Sequence, residues 1–572
     1  MPVKNGEVAD LFREMADLLE MDGANAFRVR AYRDAARLIE GLGDSVADQV
    51  KNGDDLTRLA GIGDDLAGKI REIVETGGMA ELSEVRERVP PSLREIMRIE
   101  GLGAKKVRAL WQSLNVTDLK GALRAAETGK IRELSGFGTR TEEMILEGAR
   151  ALRDGAHRFL RPKAEEYARP LLDYLRNVPG VRTADAAGSY RRGKETVGDL
   201  DILVIREADA DVMTAFVEYE DVERVVSRGD TRSTVMLRGG MQVDLRVVAP
   251  ESYGAALHYF TGSKAHSVAM RRRANGKGLK INEYGVFRDD ERVAGETEEA
   301  VFGAVDLPFI PPELREDRGE IDAARDGNLP ALVTLEDIQG DLHIHTDATD
   351  GRATIEEMVQ AARDRGYTYM AISDHTRNVT VADGMDEKRL RRQLEAIDRL
   401  NEALDGFVIL KAAEVDILKD GRLDLPDSVL TELDFRIGSV HYHFKLSRQR
   451  QTERILRAMD NPLFNTLGHP TGRLLNTRAP YEVDMEAVIQ GAAERGCMLE
   501  LNAHPDRLDL NDAHCRMAKE AGVKVVISTD AHAPSHFGFM RYGVDQARRG
   551  WLEKGDVANA RGVEELRELF RR

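Results

Sequence analysis

Two carboxylates stand two residues apart at the start of an apolar, β-branched run. They are Asp199 and Asp201, in the segment from Gly188 to Ile205. Side chains at positions i and i+2 of a strand leave on the same face. Burying two like charges side by side is costly unless a cation lies between them, and oxygen ligands suit magnesium or manganese. The spacing therefore predicts metal-dependent chemistry at the beginning of a strand.

Groups suited to a triphosphate come just before these acids. Gly188 and Ser189 offer backbone donors and a hydroxyl, and Arg191 with Arg192 offers planar cations that match phosphate oxygens. A third carboxylate, Asp244, lies in a second alternating, β-rich segment. An acidic pair alone is more often structural or solvated, and Asp244 alone is weak support. In combination, these residues predict nucleotidyl transfer.

Histidines are concentrated in the last part of the chain, where 10 of the 13 lie between residues 341 and 572. His343 and His345 alternate on a predicted strand, so both imidazoles share one face, as a metal site requires. A lone histidine would more often be a core or surface residue. Most of the others follow apolar runs together with acidic residues, which would collect them at the carboxyl-terminal rim of a barrel. We therefore expect a metal cluster.

The elements that position these groups can be predicted from periodicity. Residues 6–150 indicate short amphipathic helices, residues 155–250 alternate helix and strand, and residues 251–300 are helical and basic. A proline-rich, charged stretch follows. From residue 341 onward, strand-like and helical runs alternate, which is typical of a parallel α/β barrel.

A glycine turn recurs three times among the N-terminal helices, at intervals of 40 and 35 residues. Each copy has an apolar residue, then Gly-apolar-Gly, then a helix; the glycines are Gly61, Gly63, Gly101, Gly103, Gly136 and Gly138. Such glycines allow close backbone approach, and a helix N-terminus offers N–H groups to a phosphate. One copy could be a plain turn, but the three together resemble the helix-hairpin-helix motif, and this resemblance implies a grip on the DNA backbone that does not read sequence.

Composition limits the remaining possibilities. A chain of 572 residues with 42% hydrophobic and 32% charged residues is expected to form several globular domains. No apolar run approaches a membrane span, and no signal peptide is recognisable. Two cysteines, Cys497 and Cys515, fit a reducing cytoplasm. The net charge of −17 does not oppose DNA binding, because local patches such as the basic run 262–280 decide it.

The Gly188–Ile205 segment resembles the palm motif of family X DNA polymerases, the glycine turns resemble helix-hairpin-helix motifs, and the histidine-rich part resembles the PHP (polymerase and histidinol phosphatase) family. The resemblance covers the whole chain and implies a multidomain fold. It implies a helical lyase-like domain in 1–85, a fingers-like helical domain in 86–155, an α+β nucleotidyltransferase palm in 156–250, a thumb in 251–318, a linker in 319–335 and a distorted TIM-like PHP barrel in 336–572.

The polymerase resemblance implies that Asp199, Asp201 and Asp244 hold two Mg²⁺ ions. The implied contacts to the incoming dNTP are Gly188, Ser189, Arg192, Gly198, Tyr259, Phe260, Gly262, Lys264 and Arg271. The chain departs from the family at Val197, where a serine is expected, and at Ser267, beside His266, where an asparagine is expected. Lys69 and Tyr32 match a Schiff-base lyase pocket, in which Asp65 replaces a second lysine.

The PHP resemblance implies a ligand set for a Mn²⁺ or Zn²⁺ cluster, in which Glu414 bridges two of three metals. The implied ligands are His343, His345, Asp350, His375, Glu414, His441, His469, Asp530 and His532. His443, His504, His514 and His536 fall outside the set and are expected at the surface or behind the ligands. The implied reaction is phosphoester hydrolysis: 3′→5′ exonuclease, abasic-site cleavage or 3′-phosphate removal.

Taken together, these features predict an enzyme that fills short gaps in gapped or primed DNA from dNTPs during repair and that trims 3′ ends, with no obligate protein partner. Two alternatives remain open. The first is a DNA-bound nuclease with a weak or inactive polymerase core. The second is a nucleotidyltransferase and phosphatase acting on tRNA or small molecules, which the helix-hairpin-helix repeats disfavour.

Overall fold

The computed structural model describes residues 3, 5–40, 45–59, 61–97, 99, 102–153, 158–208 and 210–571. The chain divides into two compact units, Met1–Arg158 and Phe159–Arg572. None of the described helices has both the length and the apolar character needed to cross a membrane.

The first unit is helical. Its described residues form α1 Asn5–Asp22, α2 Ala26–Glu40, α3 Val46–Asn52, α4 Asp64–Thr76, α5 Ala80–Arg88, α6 Leu93–Ile96, α7 Ala104–Leu114, α8 Leu119–Glu127 and α9 Thr139–Arg153. The apolar residues of α1 recur with the helical period, so one stripe of the helix is buried. Phe12 of α1 meets Tyr32 of α2 edge to face, with ring centroids 5.4 Å apart. The core of this unit is therefore built from helix stripes.

The first elements of the second unit are β1 Phe159–Leu160, α10 Arg161–Arg176, β2 Val181–Ala186, α11 Gly188–Arg191, β3 Thr196–Val197, β4 Asp199–Arg206, α12 Val212–Val217, β5 Val222–Arg228, β6 Arg232–Leu237 and β7 Gln242–Val247. Strands β1 and β3 pair with each other, and the other five form a sheet in the order β2-β4-β7-β6-β5. Strands β4 and β7 pair in parallel, and the other pairs of this sheet are antiparallel. Leu200, Ile202 and Val204 of β4 join the hydrophobic core. Their alternation leaves Asp199 and Asp201 on the opposite face.

A mixed helical and β segment follows the sheet. It contains α13 Tyr253–Thr261, α14 Lys264–Asn275, β8 Lys280–Asn282, β9 Gly285–Arg288, β10 Glu291–Ala294, α15 Glu298–Ala304 and α16 Glu320–Arg325. Helix α16 lies inside the segment predicted as a linker, and its Glu320 and Ala324 are buried. The first part of that segment therefore packs as a helix, whereas residues 325–328 are exposed.

The remainder is a seven-stranded parallel sheet whose strands follow chain order. Its elements are β11 Gly340–Asp341, α17 Ile355–Asp364, β12 Tyr369–Ile372, α18 Glu387–Ala403, β13 Val408–Asp416, α19 Asp427–Leu430, β14 Phe435–Ser439, α20 Arg448–Met459, β15 Thr466–Leu467, α21 Met485–Arg495, β16 Met498–Asn502, α22 Asp512–Glu520, β17 Val525–Ser528, α23 Met540–Arg549 and α24 Val563–Phe570. A parallel bridge between Ile344 and Ala531 links the first and last strands. The sheet is thus a nearly closed barrel, which confirms the predicted TIM-like architecture.

The barrel strands are buried on both faces, as parallel strands covered by helices must be. Met370 and Ile372 of β12 pack into a core that includes Met358 of α17. Tyr369 and Ala371 of the same strand pack into a second core together with Phe570 of α24. The polar residues that follow the strands are left at the carboxyl-terminal rim.

Candidate active sites

The parallel pairing of β4 and β7 brings three carboxylates together. Asp201 is the register partner of Asp244, and Asp199 shares the face of Asp201 two residues earlier. Asp244 is 7% exposed. Its carboxylate accepts hydrogen bonds from Thr234 Oγ1 at 2.6 Å and Gln242 Nε2 at 2.9 Å. Two separate stretches of sequence thus supply one acidic cluster, as the two-metal reading requires.

Gly188 lets the backbone of α11 approach this cluster. Its φ is +62°, and a Cβ at this position would stand 2.4 Å from Asp201 Oδ2. The preceding amide of Ala187 donates to the carbonyl oxygen of Asp201 at 2.8 Å. Because both the conformation and the space exclude a side chain, only glycine fits here.

The two adjacent arginines have different partners. Arg191 donates to both oxygens of Glu298, at 2.9 and 2.6 Å, and to Thr261 Oγ1 at 2.7 Å. Burial alone would raise the pKa of Glu298, but the guanidiniums of Arg191 and Arg315 hold it at about 2. Arg191 is therefore engaged in an ion pair with a buried carboxylate, and to bind a triphosphate it must exchange Glu298 for phosphate oxygens.

Arg192 also has a carboxylate and a backbone carbonyl as partners. Its Nε contacts Glu316 at 3.1 Å, and its guanidinium also donates to the carbonyl of Thr261. Gly262 is packed against Arg192, since a Cβ there would meet the guanidinium at 3.3 Å. To bind a triphosphate, Arg192 must exchange the Glu316 carboxylate for phosphate oxygens.

Tyr259 and Phe260 lie half-buried at the end of α13, with ring centroids 5.0 Å apart. The Phe260 ring stacks under the guanidinium of Arg246, 4.2 Å away, two residues after Asp244 on β7. This contact connects the aromatic pair to the strand of the acidic cluster. Lys264 and Arg271 are exposed on α14.

The two departures from the family pattern have structural explanations. Val197 is fully buried in the core beneath the sheet. Ser267 is 7% exposed. Neighbouring His266 is also buried, with Nδ1 2.6 Å from Glu320 Oε1. These side chains therefore pack inside the protein, and the structure gives none of the three an exposed position from which to replace the missing nucleotide contacts.

Glu414, at the end of β13, occupies the centre of the histidine-rich site. Its carboxylate oxygens lie 2.8 Å from His375 Nδ1, 2.9 Å from His469 Nε2, 3.2 Å from His441 Nε2 and 3.4 Å from His343 Nε2. The carboxylate is 1% exposed. A buried carboxylate with imidazoles around both oxygens has the arrangement of a ligand that bridges metals.

A second group of histidines and aspartates lies next to Glu414, on the side of β11 and β17. His345 Nε2 lies 3.2 Å from Asp530 Oδ1, and Asp350 Oδ2 lies 3.4 Å from His532 Nε2 and 3.5 Å from His375 Nε2. The rings of His345 and His532 stack with centroids 4.3 Å apart. All nine predicted ligands thus lie at one rim of the barrel.

The donor set fits divalent metals. Nε2 of His343 and both ring nitrogens of His345 are buried without a hydrogen bond anywhere in the described part of the chain. Three overlapping groups place their donor atoms within 4.8 Å of one another: His345, Asp350, His375 and His532; His343, His345 and Asp530; and His375, Glu414 and His441. Buried imidazole nitrogens directed at carboxylates are costly without an ion, so the residues suit a metal cluster.

Comparison with known proteins is consistent with this geometry. Family models match in five places: a helix-hairpin-helix domain at 3–79, a tandem helix-hairpin-helix at 93–151, the DNA polymerase beta palm at 161–236, the DNA polymerase beta thumb at 256–316 and the PHP domain at 341–504. The chain is 37% identical over 570 residues, 99% of each protein, to the DNA polymerase/3′-5′ exonuclease PolX of Bacillus subtilis (strain 168).

The chain belongs to the PolX family of DNA polymerases. This PolX chain also shares 30% identity over 210 residues with a probable phosphatase of Thermoanaerobacter sp. (strain X514), covering 35% of the chain and 80% of that protein. It shares 32% identity over 204 residues with a probable phosphatase of Caldanaerobacter subterraneus subsp. tengcongensis, covering 34% of the chain and 75% of that protein.

Two carboxylates that orient predicted metal-binding histidines of this PolX chain were not predicted from the sequence. Glu500 Oε1 lies 2.6 Å from His343 Nδ1 and accepts from Ser528 Oγ at 2.6 Å. Asp416 Oδ1 lies 3.1 Å from His441 Nδ1. Glu500 could have been recognised as the single acidic residue within the apolar strand β16. Asp416 could have been recognised because it lies two residues after Glu414 and therefore on the same face of β13.

The four histidines that were expected outside the ligand set differ in their surroundings. His536 Nδ1 accepts the backbone N–H of His532 at 3.3 Å. His504 packs against His536 with ring centroids 5.9 Å apart. His443 is exposed and lines a cavity of about 510 Å³ next to Asp416, whereas His514 lies on α22.

The glycine turns of this PolX chain share one hydrogen bond. The central apolar residue donates its N–H to the residue three before it: Ile62 to Leu59, Leu102 to Ile99 and Phe137 to Leu134, each at 3.0 Å. A Cβ on Gly61, Gly63, Gly103, Gly136 or Gly138 would meet nothing within 4 Å. These backbones are open to a ligand, while Gly101 lies outside the described residues.

The charges that follow the turns differ. Helix α4 begins with Asp64 and Asp65, whereas α7 begins with Ala104 followed by Lys105 and Lys106. The first turn of α9 contains Arg140 and also Glu142, whose buried carboxylate pairs with Arg132. A helix N-terminus attracts phosphate, but acidic side chains there oppose it. The second turn is therefore better suited to DNA than the first.

Lys69, the candidate lyase residue, is 13% exposed. Its ammonium contacts the carboxylates of Asp65 and Glu81, the latter at 3.2 Å. Tyr32 donates to Glu81 at 3.0 Å, and its ring centroid is 5.9 Å from the Lys69 nitrogen. Tyr32 and Lys69 therefore share a pocket, and Asp65, which replaces the expected second lysine, pairs with Lys69.

Proposed function

We propose that this PolX chain fills short gaps in DNA during repair and hydrolyses phosphoesters at 3′ ends. The observation that carries the proposal is the register of Asp201 with Asp244 in parallel strands, with Asp199 on the same face. Full-length identity to a polymerase/3′-5′ exonuclease supports it.

At the polymerase site, Asp199, Asp201 and Asp244 would hold two Mg²⁺ ions. Such ions, when bound, stabilise the attacking and leaving oxygens of an in-line displacement. The protein's own groups orient the dNTP: Gly188, Ser189, Arg192, Gly198 and Gly262 toward the triphosphate, Tyr259 and Phe260 under the sugar, and Lys264 and Arg271 from the exposed face of α14. Thr234 and Gln242 fix the Asp244 carboxylate for this role.

At the PHP site, the nine ligands would hold Mn²⁺ or Zn²⁺ ions, which when bound lower the pKa of water and neutralise developing phosphate charge. We propose 3′→5′ exonuclease as the main activity, with abasic-site cleavage and 3′-phosphate removal as further candidates. The similarity to probable phosphatases supports phosphoester hydrolysis in general.

The partners that this proposal needs are gapped or primed DNA and dNTPs. We propose that the glycine turns hold the DNA backbone and that Lys69 gives the first unit a lyase role. We also propose action in the cytoplasm, where Cys497 and Cys515, both buried free thiols, would stay reduced. A nuclease with an inactive polymerase core is not favoured, because the three palm carboxylates are all present and adjacent in the sheet.

The test uses a gapped duplex with a labelled primer, dNTPs and Mg²⁺ or Mn²⁺. Wild type is compared with Asp199→Ala/Asp201→Ala, His343→Ala/His345→Ala and the exposed control Asp173→Ala. We expect the aspartate variant to lose gap filling by at least about 1,000-fold while keeping 3′-end degradation, because removing metal ligands removes transition-state stabilisation. The histidine variant should show the reverse, and the control should match wild type.

Extension that survives the aspartate change would refute the polymerase assignment. Degradation of 3′ ends that survives the histidine change would place the nuclease elsewhere. Absence of both activities in wild type would reject the repair function.

A further inference from the structure

Residues 192–195 form the loop that joins α11 to β3. The loop contains Arg192 and lies between the predicted triphosphate contacts Gly188 and Ser189 on one side and Gly198 with Asp199 on the other. The PHP barrel holds this loop. The carboxylate of Glu195 accepts from Arg473 at 2.6 and 3.3 Å and from Gln546 Nε2 at 3.2 Å. A planar guanidinium on both oxygens of a carboxylate fixes position as well as charge.

The other end of the same loop has a second anchor in the barrel. Arg549 of α23 donates to the carbonyl oxygen of Arg192 at 2.9 Å. Its guanidinium also contacts Glu316 at 3.1 Å and Asp512 at 2.6 Å, and its side chain is 1% exposed. A buried guanidinium is stable only when its donors are paired, so Arg549 is a fixed point against which the Arg192 backbone rests.

The anchors themselves are rigid. Arg473 Nε donates to the carbonyl of Arg507 at 2.9 Å, and its guanidinium also donates to the carbonyl of Leu508. The Arg473 side chain is 10% exposed, and Gln546 is 2% exposed. On the palm side, the backbone carbonyl of Glu195 accepts a hydrogen bond from the backbone N–H of Arg161 at 3.2 Å. The loop is thus held in one position by preformed groups of the barrel.

We propose that the PHP domain forms part of the polymerase nucleotide site by fixing the 192–195 loop, with Glu195, Arg473, Gln546 and Arg549 as positioning residues. The inference rests on the proposed polymerase function. An unanchored surface loop samples several positions. Each displaced position moves the Arg192 backbone away from the triphosphate, which weakens dNTP binding.

The test measures steady-state insertion of one dNTP into a gap by wild type, Glu195→Ala, Glu195→Gln and a matched control. Glu207→Ala is the control, because Glu207 pairs with Arg182 at 3.4 Å at the exposed palm surface, with 53% of its side chain exposed. We expect Glu195→Ala to raise KM for the dNTP roughly tenfold, as for the loss of a charged hydrogen bond, with kcat within threefold. Glu195→Gln keeps the shape of the side chain and one acceptor oxygen, so its KM for the dNTP should lie between those of wild type and Glu195→Ala. The control should match wild type.

Release of 3′ nucleotides in Mn²⁺, measured on the same preparations, should stay within twofold of wild type in both Glu195 variants, because Glu195 contributes nothing to the PHP ligands. An unchanged KM in Glu195→Ala and Glu195→Gln would overturn the inference. So would a parallel loss of kcat and 3′-end release at constant KM, which indicates a role in folding alone. If wild type itself inserts no nucleotide, the proposed polymerase function fails, a result distinct from an active wild type with unaffected variants.

Discussion

Glu500 orients a predicted metal ligand from behind. Its Oε1 lies 2.6 Å from His343 Nδ1, so Nδ1 carries the proton and Nε2 is directed at Glu414 and Asp530. A carboxylate behind a ligating imidazole fixes its tautomer and raises its basicity. The imidazole position is thereby set before any metal arrives.

Replacing Glu500 with glutamine should therefore lower 3′-end degradation by about 10- to 100-fold, together with bound Mn²⁺. Gap filling in Mg²⁺ should stay within twofold of wild type. Degradation rate and elemental metal content are the measurements. Glu494→Gln, an identical change at an exposed position of α21, is the control. Equal metal content and rate in Glu500→Gln and wild type would contradict this role.

At this scale, sequence reasoning was good at finding groups and poor at finding their partners. The predicted PHP ligands gather at one rim, because each lies at or beyond the carboxyl end of a strand and parallel strands end together. Glu500 was not identified, since its partner His343 is 157 residues away. Arg191 was interpreted as a phosphate-binding residue. Its partner Glu298 lies 107 residues later in the chain, so the ion pair cannot be deduced from local spacing.

Among the elements, the three glycine turns are alike in backbone and unlike in charge. Their shared hydrogen bond follows from the repeated pattern, and so could be anticipated. The acidic start of α4 and the basic start of α7 were visible in the sequence too, but their consequence depends on the helix N-termini that the structure places there.

We expect Lys105→Ala/Lys106→Ala to weaken binding to a gapped duplex about tenfold at 100 mM salt and to reduce the salt slope by about 1–2, since each lysine offers one phosphate contact. Asp64→Ala/Asp65→Ala, in the first turn of α4, should leave binding unchanged or tighter. Fluorescence anisotropy between 50 and 200 mM salt, a range over which phosphate contacts are strongly weakened, is the measurement. Equal weakening by both pairs would show that the turns are equivalent.

Helices α14 and α16 are joined by a buried pair, His266 and Glu320. Burial lowers the pKa of His266 to about 3 and raises the pKa of Glu320 to about 7. Both side chains are therefore neutral near pH 6. The pKa of Glu320 is higher in the folded protein than its ordinary value of 4.5. Its favourable contribution to the free energy of unfolding is therefore fully present below pH 4.5 and is lost as the pH rises through 7.

The glutamine of Glu320→Gln cannot ionise. The melting temperature of this variant minus that of wild type should therefore increase by on the order of 2 °C as the pH is raised from 5.5 to 8.5. Calorimetry across this range is the measurement. His266 is unchanged in both proteins, so its own titration cancels to first order. Glu299→Gln, at an exposed position of α15, should show no such trend. A difference that is flat, or that grows toward acid pH, would refute the neutral pair.

In the whole molecule, the palm, the thumb and the PHP barrel form one compact unit, residues 159–572. Fold class was predictable because period and motif identify each domain separately. The joining of these domains was not, because it depends on pairs such as Glu165 with Arg541 and Glu313 with Arg548, which lie more than 200 residues apart. Trp551 shows this directly, since it follows α23 of the barrel yet packs in the core that contains Phe302 and Leu307 of the thumb segment.

The chain contains two tryptophans, one in each compact unit, and they make the junction measurable. Trp111 lies on α7 of the first unit, and Trp551 is 9% exposed with the guanidinium of Arg516 4.1 Å from its ring. A metal that binds only the folded barrel stabilises it by about 2.7 kcal/mol at one hundred times its Kd. Because thumb and barrel share the core around Trp551, that stabilisation should appear at this residue.

In Trp111→Phe, added Mn²⁺ should therefore raise the urea midpoint reported by Trp551 fluorescence. In Trp551→Phe, the midpoint reported by Trp111 should not move. His343→Ala/His345→Ala in the Trp111→Phe background should remove most of the shift, which separates the PHP metals from ions bound at the palm aspartates. A Trp551 midpoint insensitive to Mn²⁺ while elemental analysis finds metal bound would show that the thumb core unfolds independently of the barrel. An equal shift at both tryptophans would mean that the two compact units unfold as one.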